Sequence, residues 1–377
     1  MNLIRLGAMA RKEFIHVLRD PRSLGMAIAM PVFLLLLYGY ALTLDVDNVP
    51  MVVWDQSETP ASREFISRFA GSRYFSVRGY VRNYREMVHA IDSGEVLTAL
   101  TVPREFAQCL DSGRPASVQL ILDGSDSNTA TLAVSYAEVV VATYTEEISL
   151  EKIRRLGGPA LHLPLEARPR VWYNADLESR NFIIPGLIAV IMMVISALLT
   201  SLTVAREWER GTMEQLISTP VKGRELILGK LIPYLAIGQV DVLLAVLLGQ
   251  FLFRVPLRGS VLLLFALAMV FLVGTMSLGI VISIVAKNQL LANQMAMVLT
   301  YTPSFLLSGF VFPISNMPKI VQLVTYLVPA RFFIAILKGI YLKGVGLEIL
   351  TVEAVLLTVF AVGMVALANA LFKKKMR

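Results

Sequence analysis

Six stretches of this chain, residues 23–43, 181–204, 226–253, 260–286, 289–312 and 349–372, are each long and apolar enough to cross a lipid bilayer. A helix needs about 20 such residues to cover a hydrocarbon core roughly 30 Å thick. The second stretch is the cleanest, with nothing ionisable between Arg180 and Arg206. Pro31 in the first and Pro233 in the third predict kinks that neighbouring helices can accommodate. Of the 377 residues, 56% are hydrophobic and 17% charged; soluble domains run nearer 45–50% and about 25%. The pattern predicts a polytopic α-helical membrane protein with six transmembrane helices.

The net charge of +7 does not point to nucleic acid. Lys and Arg gather at the edges of the apolar blocks, where they orient membrane helices, and form no basic face interleaved with aromatics. Cys109 is the only cysteine, which excludes an intramolecular disulfide, a redox pair or a cysteine cage for zinc. His16, His89 and His162 lie far apart and outside any metalloprotease pattern. No catalytic or metal constellation follows from these residues. With the N-terminus on the cytoplasmic side, that side carries fifteen Lys and Arg in its short segments and the other side six. The bias predicts both termini inside. No cleavable signal is expected, because the first apolar run is too long and lacks a small-residue cleavage site.

Residues 44–180 then form an extracytoplasmic insert, long enough for its own core. Residues 51–54, 96–102 and 117–122 read as strands; "PASREFISRF", "YREMVHAI" and residues 129–155 have helical spacing. An inserted α+β domain follows, with the Gly- and Pro-rich residues 157–170 as its return linker. Asp123 and Asp126 read as turn residues. Residues 1–22 carry Leu3, Leu6, Ala10, Phe14, Val17 and Leu18 at helical spacing, the mark of an amphipathic helix in the headgroup layer. Residues 313–346 are apolar but broken by Pro318 and Pro329, and predict two short re-entrant helices dipping into the outer leaflet. Asp241 stands in the middle of the third span. An intramembrane carboxylate is a candidate polar site, and a hydrogen bond to a neighbouring helix is its expected structural role.

Between the second and third spans, residues 205–225 include "AREWERGTMEQLISTP", with five charged side chains and a tryptophan. Thr212 followed by Gln215 predicts a capping box and a new helix, and Pro220 ends it. Topology alone would need only Lys and Arg here. Three glutamates beside them mark a short docking rod facing something soluble. The chain has no phosphate-binding Gly-x-x-x-x-Gly-Lys-Ser/Thr loop: the run from Gly223 to Lys230 has one residue too many, and Leu231 where a hydroxyl is needed. If ATP drives this chain, a separate subunit binds it.

"REWERGTMEQLISTP" followed by "GKLIPY" (229–234) resembles the cytoplasmic coupling loop of permease subunits of type-2 ABC exporters, the subfamily with a large extracytoplasmic domain between the first two spans. "GFVFPISNMP" and "LVPARFF" (327–333) are similar to that family's outer re-entrant hairpin, and "VVWDQSETPASREF" (52–65) more loosely to the start of its outer domain. The resemblance covers nearly the whole chain. It implies a bacterial inner-membrane protein that pairs with a second permease, identical or not, and docks on ABC ATPase subunits. ATP and magnesium would belong to those subunits, and this chain would bind no cofactor. It leaves room for a periplasmic adaptor and fixes no exported compound. Carried over, it places Glu207, Arg210, Gly211, Thr212, Glu214, Leu216 and Pro220 at the ATPase-coupling interface. The rival reading is a membrane-anchored receptor or assembly platform whose outer domain binds a ligand without transport. An intramembrane enzyme ranks below both.

Overall fold

The computed structural model describes residues 2–42, 48–155, 172–174 and 178–372. The chain divides into two compact units, Met1–Thr43 with Arg170–Arg377, and Leu44–Pro169. The return linker expected at 157–170 lies outside the described residues.

The first unit opens with α1 (Leu3–Leu18) and α2 (Pro21–Ala41). Asn2 caps α1 by accepting from the Ile4 amide at 3.0 Å. Only one face of α1 is covered: Met9, Glu13 and Val17 are buried, while Leu3, Ile4, Phe14 and Leu18 stay exposed.

The second unit runs β1 (Val49–Asp55), α3 (Pro60–Ala70), β2 (Phe75–Tyr80), α4 (Tyr84–Asp92), β3 (Thr98–Val102), α5 (Phe106–Ser112), β4 (Gln119–Leu122) and α6 (Ser127–Arg155). Its sheet has the order β2-β1-β3-β4; β1 is parallel to β2 and β3, and β4 is antiparallel to β3. Alternation along β1 sends Val49, Met51 and Val53 to one face with Phe65, Phe69 and Phe106. It sends Val52 to the other face with Met87 and Ala90 of α4. Helices therefore cover both faces, as a parallel sheet requires. This corrects the expected α+β arrangement: three parallel strands joined by helices make an α/β layer. Asp123 accepts from the Ser125 amide at 2.9 Å and Asp126 from the Thr129 hydroxyl at 2.5 Å, so both serve turns. The Ser125 hydrogen bonds hold the Asp123 carboxyl below its usual range.

The first unit resumes with α7 (Ser179–Glu209), α8 (Thr212–Ser218), α9 (Gly223–Leu247, extended by a π-turn at Leu248–Leu252), α10 (Val261–Ala286) and α11 (Gln289–Leu306). It ends with α12 (Lys319–Val324), α13 (Pro329–Lys338) and α14 (Thr351–Leu371). Among the described residues, four helices are long and apolar enough to cross a membrane: Ser179–Glu209, Gly223–Leu252, Val261–Ala286 and Thr351–Leu371. The count is five if Lys319–Leu327 and Pro329–Lys343, which meet at 86°, form one broken span. The first and fifth expected spans fall short of that measure among the described residues. The apolar part of α2 is Ala27–Ala41. Helix α11 carries Asn293, Gln294, Thr300, Thr302 and Ser304, and leaves helical geometry at Leu307.

Helix α7 lies at the centre of this unit, packed against α2, α9, α10, α11 and α13. Its seam with α10 is built from small and hydroxylated residues. Ser196 and Thr275 share a hydrogen bond of 2.7 Å, and the Thr200 hydroxyl donates to the Met276 carbonyl at 2.9 Å. Ser283 Oγ accepts from the Val204 and Ala205 amides at 3.0 and 2.9 Å. Small residues let backbones approach closely where no water drives association.

Candidate coupling site

The last turn of α7 extends past its apolar run and carries Arg206, Glu207, Trp208 and Glu209. Arg210 closes the helix. Gly211 then turns the chain with φ of 68°, a left-handed conformation that glycine adopts without a Cβ penalty. This corrects the expected capping box. Helix α8 starts from Gly211 with no side-chain cap, and the Thr212 hydroxyl donates instead to the Glu207 carboxylate. The helix ends as expected: Thr219 is extended ahead of Pro220.

Glu207 is the hub of an ionic cluster that runs from exposed Lys12 to buried Lys230 and Glu13. Its carboxylate lies 2.9 Å from Lys12 Nζ and 3.5 Å from Lys230 Nζ. Lys230 also pairs with Glu13 and donates to the Thr203 carbonyl at 3.4 Å. Two ammonium groups face two carboxylates, so the cluster is neutral. The side chains of Lys230 and Glu13 are only 2% and 4% exposed. Charges this deep are tolerated only when paired and hydrogen-bonded. Helix α1 reaches them because Gly229 of α9 has no side chain; a Cβ there would sit 2.6 Å from Met9 Cβ.

More contacts hold the same loop. The Arg5 guanidinium donates to the Pro220 carbonyl at 2.7 Å, and Glu225 accepts from the Asn2 and Lys222 amides at 2.8 and 3.0 Å. Arg206 lies 3.6 Å from Asp20 and 3.3 Å from His16. Glu209 accepts from the Gln289 amide at 2.8 Å, and the Lys287 ammonium stands 5.1 Å from the centre of the Trp208 ring.

The structure sorts the site residues expected from the sequence into two groups. Glu207 and Thr212 point inward to the cluster, and Leu216 packs half-buried on the bundle core behind buried Met213. Arg210, Gly211, Glu214 and Pro220 are exposed. Sequence reasoning missed Glu13, Lys12 and Lys230 as partners of Glu207. The available signals were one acid in an otherwise basic amphipathic helix and one lysine about a turn inside an apolar span.

Beside the cluster, Arg206, Asp20 and His16 form the polar end of a cavity of about 310 Å³ whose walls include Ile195, Leu199 and Tyr234. Asp241 is elsewhere on α9 and only 2% exposed. Among the described residues, Asp241 Oδ1 has no hydrogen-bond partner. An unsatisfied buried acceptor costs roughly 1–3 kcal/mol. Asp241→Leu is therefore expected to raise the unfolding temperature of the detergent-solubilised protein, and an unchanged or lower value would show that the group is satisfied.

A bundle of membrane-length helices with a pinned, charged loop defines a multi-pass membrane protein. The chain belongs to the ABC-2 family of transporter proteins, whose model matches residues 21–369. It is 35% identical to the Escherichia coli K12 protein named probable multidrug ABC transporter permease YbhS, over 99% of this chain and 97% of that one. It is 31% identical to probable multidrug ABC transporter permease YbhR of the same organism, over 98% of this chain and 99% of the other. Against ABC transporter G family member 20 of Dictyostelium discoideum the identity is 22%, over 92% of this chain and 47% of that protein. Membership in a transporter family leaves the receptor reading without support.

Proposed function

We propose that this chain is the membrane half of an ATP-driven exporter of the bacterial inner membrane. It works as a pair of permeases with two separately encoded ATPase subunits, which hold the ATP and magnesium. The observation that carries this reading is the coupling loop. Its inner side is fixed to α1, α7 and α9 through Glu207, while Arg210, Gly211 and Glu214 remain open to a partner. A push on the open face therefore moves three helices together. In this reading α2 and α11 complete six spans, both termini lie inside, and the Leu44–Pro169 unit lies outside. The pair α12–α13 dips into the outer leaflet.

The cavity beside Arg206 supports an amphiphile as cargo. Its apolar walls suit a hydrocarbon or aromatic body, and Arg206, Asp20 and His16 suit a polar head. The relatives named for multidrug transport agree with such cargo. Coupling requires that ATP-bound and free states of the partner contact the loop differently.

The test reverses the open charges. The permease carrying Arg210→Glu with Glu214→Lys is co-expressed with its ATPase. Interface hot spots are worth about 1.4 kcal/mol or more, a factor of ten. Transport and substrate-stimulated ATP hydrolysis are expected to fall at least about tenfold, with membrane content and unfolding temperature unchanged. Native stimulation in the double variant would overturn the docking role.

A further inference from the structure

The second unit holds a candidate site of its own. In its sheet, β1 is followed across α3 by β2 on one side, and the chain then returns across α4 to place β3 on the other side. The loops leaving the neighbouring strands β1 and β2 lead to helices on opposite faces, α3 and α4, and therefore part at the carboxyl edge. In open α/β sheets this divergence opens the crevice where ligands bind. The crevice is present here as a cavity of about 680 Å³, within the usual range for small-molecule sites.

Three arginines from three different segments converge on it: Arg63 from the first turn of α3, Arg82 from beyond β2, and Arg104 from beyond β3. All three are exposed, and among the described residues none forms an ion pair. Two acids share the cavity, but Asp55 is committed to its own loop. It accepts from the Ser57 and Glu58 amides at 3.0 and 3.1 Å and from the Ser62 hydroxyl at 2.7 Å. Glu58 has φ of 50°, a left-handed backbone that a side chain adopts only at a cost. Such strain concentrates at ligand sites. Trp54 and Tyr80 add flat aromatic faces to the lining, and Tyr80 is 66% exposed.

We propose that the carboxyl edge of this sheet binds a small anionic ligand that carries a phosphate or carboxylate beside a flat apolar group. Arginine forks bind such oxyanions in bidentate fashion, and three arginines set against two acids leave a net positive charge that draws them in. The aromatic faces select for the flat portion.

The test uses the full chain in lipid nanodiscs, titrated calorimetrically with phenyl phosphate, inorganic phosphate and benzylamine. Phenyl phosphate is expected to bind more tightly than inorganic phosphate, and benzylamine not to bind. Arg63→Ala with Arg104→Ala should weaken phenyl phosphate at least tenfold with the circular-dichroism melting curve unchanged. Tyr80→Ala should reduce the preference for phenyl phosphate over inorganic phosphate at least threefold. If the alanine pair fails to fold, Arg63→Lys with Arg104→Lys keeps the charge, removes the forks, and should still weaken binding about threefold. Absence of heat with both anions, equal binding of benzylamine, or unaltered affinity in the arginine variants would overturn the proposal.

Discussion

Replacing Lys230 with methionine is expected to cost about 3–5 kcal/mol, because it strands Glu13 in a site where that side chain is only 4% exposed. Total stabilities of about 5–15 kcal/mol leave little margin for such a loss. The variant should appear as a sharply lower unfolding temperature and reduced folded yield in detergent. Glu207 keeps Lys12 at 2.9 Å and is less affected. Removing both partners, Glu13→Gln with Lys230→Met, leaves no uncompensated charge between them and should restore most of the stability. Stimulated ATP hydrolysis in the double variant is expected to stay low, because Glu207 no longer connects to α9. A native melting curve for Lys230→Met alone would show that the cluster contributes nothing.

The second large effect concerns Gly279 on α10. A Cβ there would overlap the Thr200 hydroxyl and the Ala197 carbonyl oxygen of α7, and would lie 3.1 Å from the Ala197 carbonyl carbon. Two of these atoms are backbone and cannot rotate away. Even Gly279→Ala sets an overpacking penalty of about 1–3 kcal/mol against a helix-propensity gain of up to about 1 kcal/mol, so the clash wins. Gly279→Leu should abolish the monodisperse peak in size-exclusion chromatography. Gly363 on α14 is the control. A Cβ there meets nothing within 4 Å, so Gly363→Ala should be neutral or slightly stabilising. Equal behaviour of the two positions would remove the seam as the cause.

Much of this was legible in the sequence, for reasons that differ by element. Helices α7, α9, α10 and α14 follow from apolar runs that no loop could carry. Strands β1, β3 and β4 announced themselves by β-branched and aliphatic runs. Strand β2 did not, because "FSVRGY" mixes Ser76, Arg78 and Gly79 into an edge strand exposed to water. The short helix between α7 and α9 was legible in place and extent, but the internal wiring of its loop was not. Thr212 matched a capping pattern, yet Gly211 turned the chain so that the hydroxyl met Glu207. The Glu13–Lys230 pair joins residues 217 positions apart, a separation that no local pattern reports.

Helix α1 has a consequence for how this protein is handled. One side is bonded to the machinery through Glu13, Lys12 and Arg5, and the other offers Leu3, Ile4, Phe14 and Leu18 to its surroundings. Were α1 to lie in the headgroup layer, as its exposed apolar face would allow, it could not change its depth without dragging the loop at Glu207. The thickness and surface charge of the reconstitution lipid would then bear on the position of that loop and not only on the solvent around it.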